Sequence, residues 1–342
     1  MSAGTPAPLV DSALARAEEL AASGRRLDAL DLLRRVRPDR HDPPGELDRR
    51  LTALRYDAFG ELSGGSVAQW PAPSDSMQAI PGTLAEVEPG DLTARVVRRA
   101  LLGCGGLVIR GLVADHVDRL VAGIDAALVA REGSSGGSVE GSWYHPLALE
   151  RSEAQSLGRH WVAGSGGVLA CDSPRFLNDL LELYEQIGLG DVITAYLGER
   201  PVLSANKCTL RHVPLTSGTD WHQDGAFLGS GIRALNVWVA LTDCGVDAPG
   251  LDVVPLRLDQ VLPTGTGGAT FDWSVGPAVV ESLADRAPVV RPAFRAGDAM
   301  LFDDLFLHRT ALDGSMIKRR YAIEAWFFAP SAYPSGQVPL VW

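Results

Sequence analysis

The sequence predicts an α+β fold, and two observations support this prediction. Helical periodicity dominates the chain up to about residue 200, whereas short apolar runs bounded by Gly and Pro dominate after Pro201. The strand candidates do not alternate with helices, as they would in a chain of βαβ units. With 342 residues, 46% of them hydrophobic, the chain is long enough to bury a sizeable core.

Residues 1–60 predict a helical appendage. The segments LARAEELAASG and RRLDALDLLRRV carry apolar residues at helical spacing, with Gly24 between them and Pro38 after the second. They weakly resemble one tetratricopeptide hairpin, but a single hairpin cannot bury its own apolar face. We therefore expect these helices to pack on the main domain, with the docking of a protein partner as the alternative.

Residues 61–90 are rich in Gly, Ser and Pro and predict a linker or strap, which places the main domain at 91–342. This domain opens with a helix (DLTARVVRRALLGC), a short strand (GGLVIRG) and a second helix. The Gly- and Ser-rich stretch REGSSGGSVEGS that follows predicts a lid over the site. After a further helical stretch, the strand candidates are PVLSANKCTLRHVP, IRALNVWVALTD, LDVVPL, DAMLFDDLFLHRTAL and RRYAIEAWFFAP, with an insert at 256–288.

Composition argues against several classes of protein. A net charge of −11 disfavours binding to nucleic acid or to a membrane surface. No apolar run approaches the ~20 residues that span a bilayer, and the first residues lack the pattern of a secretory signal. The cysteines form no CxxC pair, which predicts free thiols in a reducing cytoplasm. We expect a cytoplasmic protein that acts on a small molecule.

The stretch DWHQDGAF contains the first candidate for chemistry. In an extended segment, His222 and Asp224 would lie on one face, because the side-chain period of a strand is two. His308, in the apolar run LFDDLFLHRTAL, offers a third ligand. Two histidines and one carboxylate form the facial triad of non-haem Fe(II) oxygenases. Taken alone, the His-x-Asp pair also fits a surface turn, and His308 also fits a core histidine.

Two downstream residues strengthen the metal interpretation. Thr310 lies two residues after His308, on the same predicted strand face, and Arg319 lies eleven after it. A returning antiparallel strand would bring Arg319 back beside the histidine. A guanidinium with a neighbouring hydroxyl can bind a carboxylate through two hydrogen bonds.

These spacings resemble those of the phytanoyl-CoA dioxygenase family. WHQDGAF resembles the HQD stretch of that family, ALNVWVALTD its following strand, AGDAMLFDDLFLHRTA its run into the last ligand, and GGLVIRGLVADHVDRL its N-terminal strand and helix. The resemblance covers roughly residues 90–330. It implies a double-stranded β-helix (jelly-roll or cupin-like) core with flanking helices, and a dioxygenase that uses Fe(II), 2-oxoglutarate and O2.

The resemblance also implies roles for particular residues. The iron ligands would be His222, Asp224 and His308, and the cosubstrate residues would be Arg319, Thr310, Trp238 and Thr209. An intact Asp224 points to hydroxylation or another oxidation, because related halogenases have a small residue there. The segment Pro255-Leu256-Arg257 departs from the Pro-Gly-Ser-His of many family members.

The substrate residues are predicted from position alone. Arg211 and Lys207 share a strand face with Thr209, and Trp143 and Tyr144 lie beside the predicted lid. The alternatives are solvated edge charges for the first pair and packing of the loop for the second. The main hypothesis is a dioxygenase that oxidises a small molecule, with natural-product biosynthesis as one role. The alternatives are a cupin-type metalloenzyme that does not use 2-oxoglutarate and an inactive barrel that serves as a binding or scaffold protein.

Overall fold

The computed structural model describes residues 7–37, 45–62, 82–134, 143–215 and 218–342. Within these ranges the helices are α1 Ala7–Ala22, α2 Arg26–Val36, α3 Glu46–Asp57, α4 Ala94–Cys104, α5 Val117–Ser134, α6 Arg151–Ser156, α7 Arg159–Gly164, α8 Pro174–Gln186, α9 Leu189–Leu197, α10 Gly225–Leu228 and α11 Pro277–Glu281. The strands are β1 Ala85–Val87, β2 Gly106–Ile109, β3 Gly167–Leu169, β4 Val202–Val213, β5 Ala234–Ala240, β6 Gly250–Val253, β7 Ala299–Phe302, β8 His308–Ala311, β9 Arg320–Phe328 and β10 Pro339–Val341.

Helix α4 illustrates how local sequence sets the helix ends. The Thr93 side chain caps its first turn by accepting a hydrogen bond from the backbone N–H of Val96 (3.2 Å). Gly105, at φ 85°, ends the helix in the left-handed conformation that glycine adopts without strain. The apolar positions 97, 100, 101 and 104 follow the helical period and are buried.

The strands form two sheets in the described part of the chain. The larger has the order β1-β2-β7-β5-β9-β4-β10, with β3 also paired to β4. The smaller contains β6 and β8, whose register pairs Val253 with His308. Side chains of β5, β7 and β9 pack against those of β6 between the two sheets. The sheets face each other without closing into a barrel, as in a double-stranded β-helix.

The central strands β4, β5, β7 and β9 divide their side chains between two layers. Cys208 and Leu210 of β4 point toward the helices and join a core that includes α4, α5, α8 and α9. The alternate residues Lys207, Thr209 and Arg211 point the other way and line a cavity. This alternation follows from the period of two along a strand. One face of the sheet therefore packs against the helices, and the other face lines the cavity.

The N-terminal helices pack on the main domain. Helix α3 lies against α8 and β10, and Val341 of β10 joins the apolar core of α1–α3. Arg55 of α3 is buried and donates hydrogen bonds to Asn178 (3.1 Å) and to the carbonyl of Val341 (2.8 Å). The predicted strap at 61–90 ends too late, since Ala85–Val87 is a strand that pairs with β2. Residues 63–81 of the strap and 135–142 of the predicted lid lie outside the described residues.

A partly buried ionic cluster fastens the end of α2 to α8, which leads to a first prediction. Arg37 pairs with Asp48 (2.8 Å), Asp179 (2.6 Å) and Glu182. Arg37→Ala should lower the free energy of unfolding by about 3 kcal/mol, because it leaves the carboxylates of Asp48 and Asp179 without their shared cation. Urea denaturation measures this. Arg16→Ala, which removes an exposed pair with Glu19, should cost less than about 1 kcal/mol. Equal losses for the two variants would contradict the prediction.

Across the described ranges, none of the helices has the length and apolar character needed to cross a membrane.

Candidate metal centre

The segment around residue 222 is extended and tied to the start of β8. The backbone N–H of His222 donates to the carbonyl of His308 (2.9 Å), and the N–H of His308 donates back to His222 (3.1 Å). Gln223 points away from the cavity and is fully buried. Its side chain donates to the carbonyl of Leu305 (2.6 Å) and accepts from the N–H of Leu262 (2.7 Å). This anchoring turns His222 and Asp224 to the same side, as the spacing predicts.

Both imidazoles are oriented by backbone carbonyls. His222 Nδ1 lies 2.7 Å from the carbonyl oxygen of Asp220, and His308 Nδ1 lies 3.0 Å from that of Phe306. The two ring centroids are 4.3 Å apart. A carbonyl at Nδ1 favours the tautomer that carries its proton there, which leaves the Nε2 lone pair of each ring for a metal.

The third member of the group is Asp224, which is 2% exposed. Its Oδ2 lies 3.6 Å from His308 Nε2. One ligand atom from each of the three residues lies within 4.8 Å of the other two. Burial, followed by the neighbouring His308, lowers the pKa of His222 to about 4, so this imidazole is neutral at pH 7. Two imidazoles and a buried carboxylate are the donor set that Fe(II) takes in a facial triad.

The three side chains lie at the wall of a cavity of about 470 Å³ between the two sheets. Strands β4, β5, β7, β8 and β9 contribute to its walls, together with β6, α7 and the 256–288 insert. Its lining includes Leu157, Trp161, Lys207, Thr209, Arg211, Thr219, Phe227, Asn236, Trp238, Leu251, Trp273, Phe302, Thr310, Arg320, Ala322, Glu324 and Gln337.

Arg320 is the cation at the inner end of this cavity and is 3% exposed. Its guanidinium carbon lies 5.4 Å from the ring centroid of Trp238. Nη1 donates to the carbonyls of Pro249 (2.9 Å) and Gly250 (3.0 Å), whereas Nε has no partner among the described residues. Burial lowers the pKa of Arg320 to about 10, which still leaves it charged at pH 7. A buried guanidinium with an unused N–H fits an anionic cosubstrate.

The sequence prediction of Arg319 for this position is wrong by one residue. Arg319 is exposed and lies outside the cavity lining. Strand β9 begins at Arg320, and the inward face of this strand carries Arg320, Ala322 and Glu324 at a period of two. Arg319 therefore has the opposite parity, and its charge acts on His212 outside the cavity instead.

The other predicted cosubstrate residues all line the cavity. Thr310 is held in place by its backbone N–H, which donates to Thr219 Oγ1 (2.8 Å). Trp238 lies beside Arg320 on the neighbouring strand. Thr209 accepts a hydrogen bond from Arg211 Nε (3.0 Å), and its hydroxyl lies 3.3 Å from Glu324.

The predicted substrate residues divide into two pairs. Lys207 and Arg211 line the cavity. Trp143 and Tyr144 do not: both pack against the helical core, and Arg175 lies over the Trp143 ring at 4.8 Å. Asp172 causes this placement, because its carbonyl and its carboxylate accept the backbone N–H groups of residues 145 and 147 and hold the segment against the helices.

Several lining residues were not predicted from the sequence. Asn236 is buried on β5, and its Oδ1 has no partner among the described residues. It could have been found from the sequence, because it lies two residues before Trp238 on the same strand and therefore shares its face. Trp273 comes from the 256–288 insert, and its ring meets that of His222 edge-on at 5.7 Å. Trp161 and Phe227 come from helical turns whose position depends on tertiary packing.

Asp304, behind the metal group, gives a prediction about pH. Burial, followed by the neighbouring Asp303, raises the pKa of Asp304 to about 7. An unfolded chain releases this proton near pH 4. Between those values the folded protein keeps a proton that the unfolded chain has lost, so the free energy of unfolding falls as pH rises from about 4 to 7. Asp304→Asn should therefore raise the melting temperature of chelator-treated protein by about 2–4 °C at pH 8 and by almost nothing at pH 4.5.

The control for this prediction is Asp285→Asn, the same change at an exposed position. It should leave the melting temperature unchanged at both pH values. A gain from Asp304→Asn that is as large at pH 4.5 as at pH 8 would mean that titration of this carboxyl is not the cause.

Comparison with known proteins agrees with an iron-dependent dioxygenase. The family model described as phytanoyl-CoA dioxygenase matches residues 175–320. A comparison with curated proteins finds no match. Among solved structures, the chain is similar to EctD from S. alaskensis with 2-oxoglutarate and 5-hydroxyectoine: identity is 16%, TM-score 0.50, with 80% of this chain and 89% of that chain covered.

Two further structures are similar at lower scores. EctD from S. alaskensis with bound Fe has 18% identity and a TM-score of 0.45, covering 78% of this chain and 88% of that one. AviO1 from Streptomyces viridochromogenes Tue57 has 20% identity and a TM-score of 0.41, covering 68% and 94%. The family match and the first of these structures confirm the predicted double-stranded β-helix core. Residues 175–320 therefore match the phytanoyl-CoA dioxygenase family model, and the comparisons indicate a non-haem dioxygenase that uses iron, 2-oxoglutarate and O2.

Proposed function

We propose that this dioxygenase oxidises a small organic molecule in the cavity between its two sheets, with Fe(II) held by His222, Asp224 and His308. The observation that carries the proposal is the orientation of these groups. Both imidazoles have Nδ1 at a backbone carbonyl, and Asp224 Oδ2 reaches to within 3.6 Å of His308 Nε2. The ligand atoms converge on one point inside a cavity that also contains a buried, partly unpaired guanidinium.

Iron with 2-oxoglutarate would supply the activation of O2 and the two-electron oxidation of the substrate. The protein's own contribution is binding, orientation and shielding. Arg320 replaces Arg319 as the residue proposed to bind the distal carboxylate of 2-oxoglutarate. Thr310 offers a hydroxyl on the facing strand, and Trp238 limits the width of this end of the cavity.

Asn236 is proposed to hydrogen-bond the cosubstrate or a substrate group beside the metal. Its amide lies on the cavity floor between Phe302 and Trp326, which are its partners on the neighbouring strands. A buried amide oxygen without a partner is costly, so binding of a donor there would be favourable.

The apolar walls limit the contact of the reacting face with bulk water. Phe302 packs against His308 with ring centroids 4.8 Å apart, and Trp273 covers the edge of His222. Removal of water protects a reactive site from side reactions and strengthens the fixed electrostatic interactions in it. A role in natural-product biosynthesis stays a prediction.

The decisive experiment uses the protein loaded with Fe(II) under anaerobic conditions. Addition of 2-oxoglutarate should produce the weak visible charge-transfer band of a 2-oxo acid chelated to iron. Succinate, which lacks the keto group, is the control and should produce no band. Folded, iron-loaded protein that gives no band with saturating 2-oxoglutarate would overturn the proposal and favour a metalloprotein that does not use this cosubstrate.

A further inference from the structure

Lys207 is a cation whose partner inside the cavity would change on metal binding. Its Nζ lies 3.7 Å from Asp224 Oδ1, longer than a normal hydrogen bond, and 4.1 Å from the ring centroid of Phe227. A metal ion on Asp224 would engage the charge that Lys207 now faces and would itself repel the ammonium group. Lys207 would then need another anion on the open side of the metal.

The strand register places Lys207 far from the proposed cosubstrate anchor. Arg320 is paired with Val213 at one end of β4, and Lys207 lies six residues back along the same strand. At about 3.3 Å per residue, this separates the two positions by about 20 Å along the strand. The two side chains therefore start from well separated positions on the cavity wall, with Lys207 beside the metal group and Arg320 at the proposed anchor for the distal carboxylate.

The charged side chains that line the cavity carry a net positive charge, which one further negative charge would neutralise. The charged side chains among its described lining residues are Lys207, Arg211, Arg320, Asp224 and Glu324. Counted without the histidines, these five side chains give a net charge of +1. Fe(II) and the 2-oxoglutarate dianion cancel each other and do not alter this value. Arg211 lies 3.7 Å from Glu324, and Arg320 would face the distal carboxylate of 2-oxoglutarate. Lys207 is then the cation left without a partner once a metal ion engages Asp224.

The cavity walls are aromatic and partly open, with Phe227 beside Lys207 and Trp161 beside Arg211. Phe227 is 40% exposed and Trp161 is 58% exposed, although both line the cavity. Large apolar side chains that remain exposed around a cavity commonly contact a ligand. Trp273 and Phe227 meet edge-on at 6.2 Å and form one continuous aromatic wall beside the metal group.

We propose that the organic substrate is a monocarboxylic acid whose carboxylate pairs with Lys207 and whose apolar part packs against Phe227, Trp161 and Trp273. This inference rests on the proposed function, because the charge of Lys207 is freed by metal binding to Asp224. A carboxylate fits better than a phosphate monoester, since the cavity lacks one negative charge and a phosphate monoester carries between one and two at pH 7.

The first test measures binding to the Fe(II) and 2-oxoglutarate complex under anaerobic conditions. The probes are phenylacetate, 3-phenylpropionate and hexanoate, each compared by calorimetry with its neutral amide. At least one acid should bind at least about tenfold more tightly than its amide. Lys207→Met should remove this preference, and Lys207→Arg should keep part of it. Lys318→Met is the matched control, because Lys318 is the only other lysine of the sequence and forms a surface pair with Asp247.

The second test measures the NMR signals of the lysine side chains, which are easily assigned because the chain has only two lysines. Protein labelled with ¹⁵N only at the lysine Nζ atoms should give two side-chain signals, since the chain contains two lysines. With Zn(II) in place of Fe(II) and 2-oxoglutarate bound, addition of the acid should shift the Lys207 signal and leave that of Lys318 in place. The matching amide should shift neither signal.

The outcomes separate this inference from the proposed function. Absence of 2-oxoglutarate binding by the wild type overturns both. Normal 2-oxoglutarate binding with no probe acid preferred over its amide, or a preference that survives in Lys207→Met, overturns the carboxylate proposal alone. Lys207→Met that weakens 2-oxoglutarate binding, rather than the binding of the acids, would assign Lys207 to the cosubstrate and also overturn it.

Discussion

Arg320→Leu should weaken the binding of 2-oxoglutarate by about 30- to 5,000-fold, whereas Arg319→Leu should leave it unchanged. The reason is that Arg320 is buried at the inner end of the cavity with its Nε unpaired, while Arg319 is exposed just before the start of β9. Removal of one partner from a buried, charge-assisted contact costs about 2–5 kcal/mol. Titration of the visible band of the anaerobic Fe(II) protein with 2-oxoglutarate measures the effect.

Two further variants make this result interpretable. Arg320→Lys keeps the charge but loses the planar pair of donors, so its affinity should fall between those of the wild type and Arg320→Leu. The melting temperature of each variant shows whether the contacts of Arg320 with the carbonyls of Pro249 and Gly250 are needed for folding. If folded Arg320→Leu bound 2-oxoglutarate normally while Arg319→Leu did not, the assignment would return to Arg319.

His222→Ala should weaken the binding of Fe(II) by at least about a hundredfold and abolish the charge-transfer band. Loss of the hydrogen-bond partner of a metal ligand already costs about 10- to 100-fold in affinity, and this change removes the ligand itself. Anaerobic titration with Fe(II), read by metal analysis after gel filtration, measures the effect. The cavity that remains is lined by Phe227 and Trp273, which offer no substitute donor.

The control for the metal prediction is His212→Ala. His212 also lies in the chain before the metal group, but its ring stacks on Tyr321 at 4.0 Å and it does not line the cavity. This variant should bind Fe(II) as the wild type does. Equal iron content in the two variants would place the metal elsewhere.

The metal group was predictable because its signal is local. His222 and Asp224 are two residues apart in an extended segment, so parity alone puts them on one face. The contribution of His308 depends on a pairing between distant segments, and the resemblance to a known family supplied that pairing. No pattern in the sequence shows that Gln223 anchors the segment by contacts with residues 262 and 305.

The misplacement of Arg319 has a simple physical origin. Two arginines stand side by side, and the parity of the following strand decides which one enters the cavity. Counting from His308 does not set this parity, because residues 312–319 between β8 and β9 are irregular. The alternation of Arg320, Ala322 and Glu324 against the buried apolar residues 323, 325 and 327 does set it, and it can be read from the sequence once the strand is located.

The positions of Trp143 and Tyr144 relative to the cavity could not be predicted from the sequence. Proximity to a Gly-rich loop suggested a position near the cavity, but Asp172 fixes the segment by hydrogen bonds that involve backbone N–H groups. Such contacts depend on the fold rather than on the side chains of residues 143–147. The aromatic residues that do line the cavity, Trp161 and Trp273, come from a short helix and from an insert without a clear periodic pattern.

The alternation along β4 has a consequence for how this enzyme could acquire new substrates. The proposed iron ligands come from the segment before α10 and from β8, whereas positions 207, 209 and 211 belong to a different strand. Their neighbours at 208 and 210 are constrained by the helical core. Variation confined to the three inward positions would therefore change selectivity while leaving the metal ligands and the core intact. Strand β4 is the natural target for a small combinatorial library in directed evolution of this enzyme.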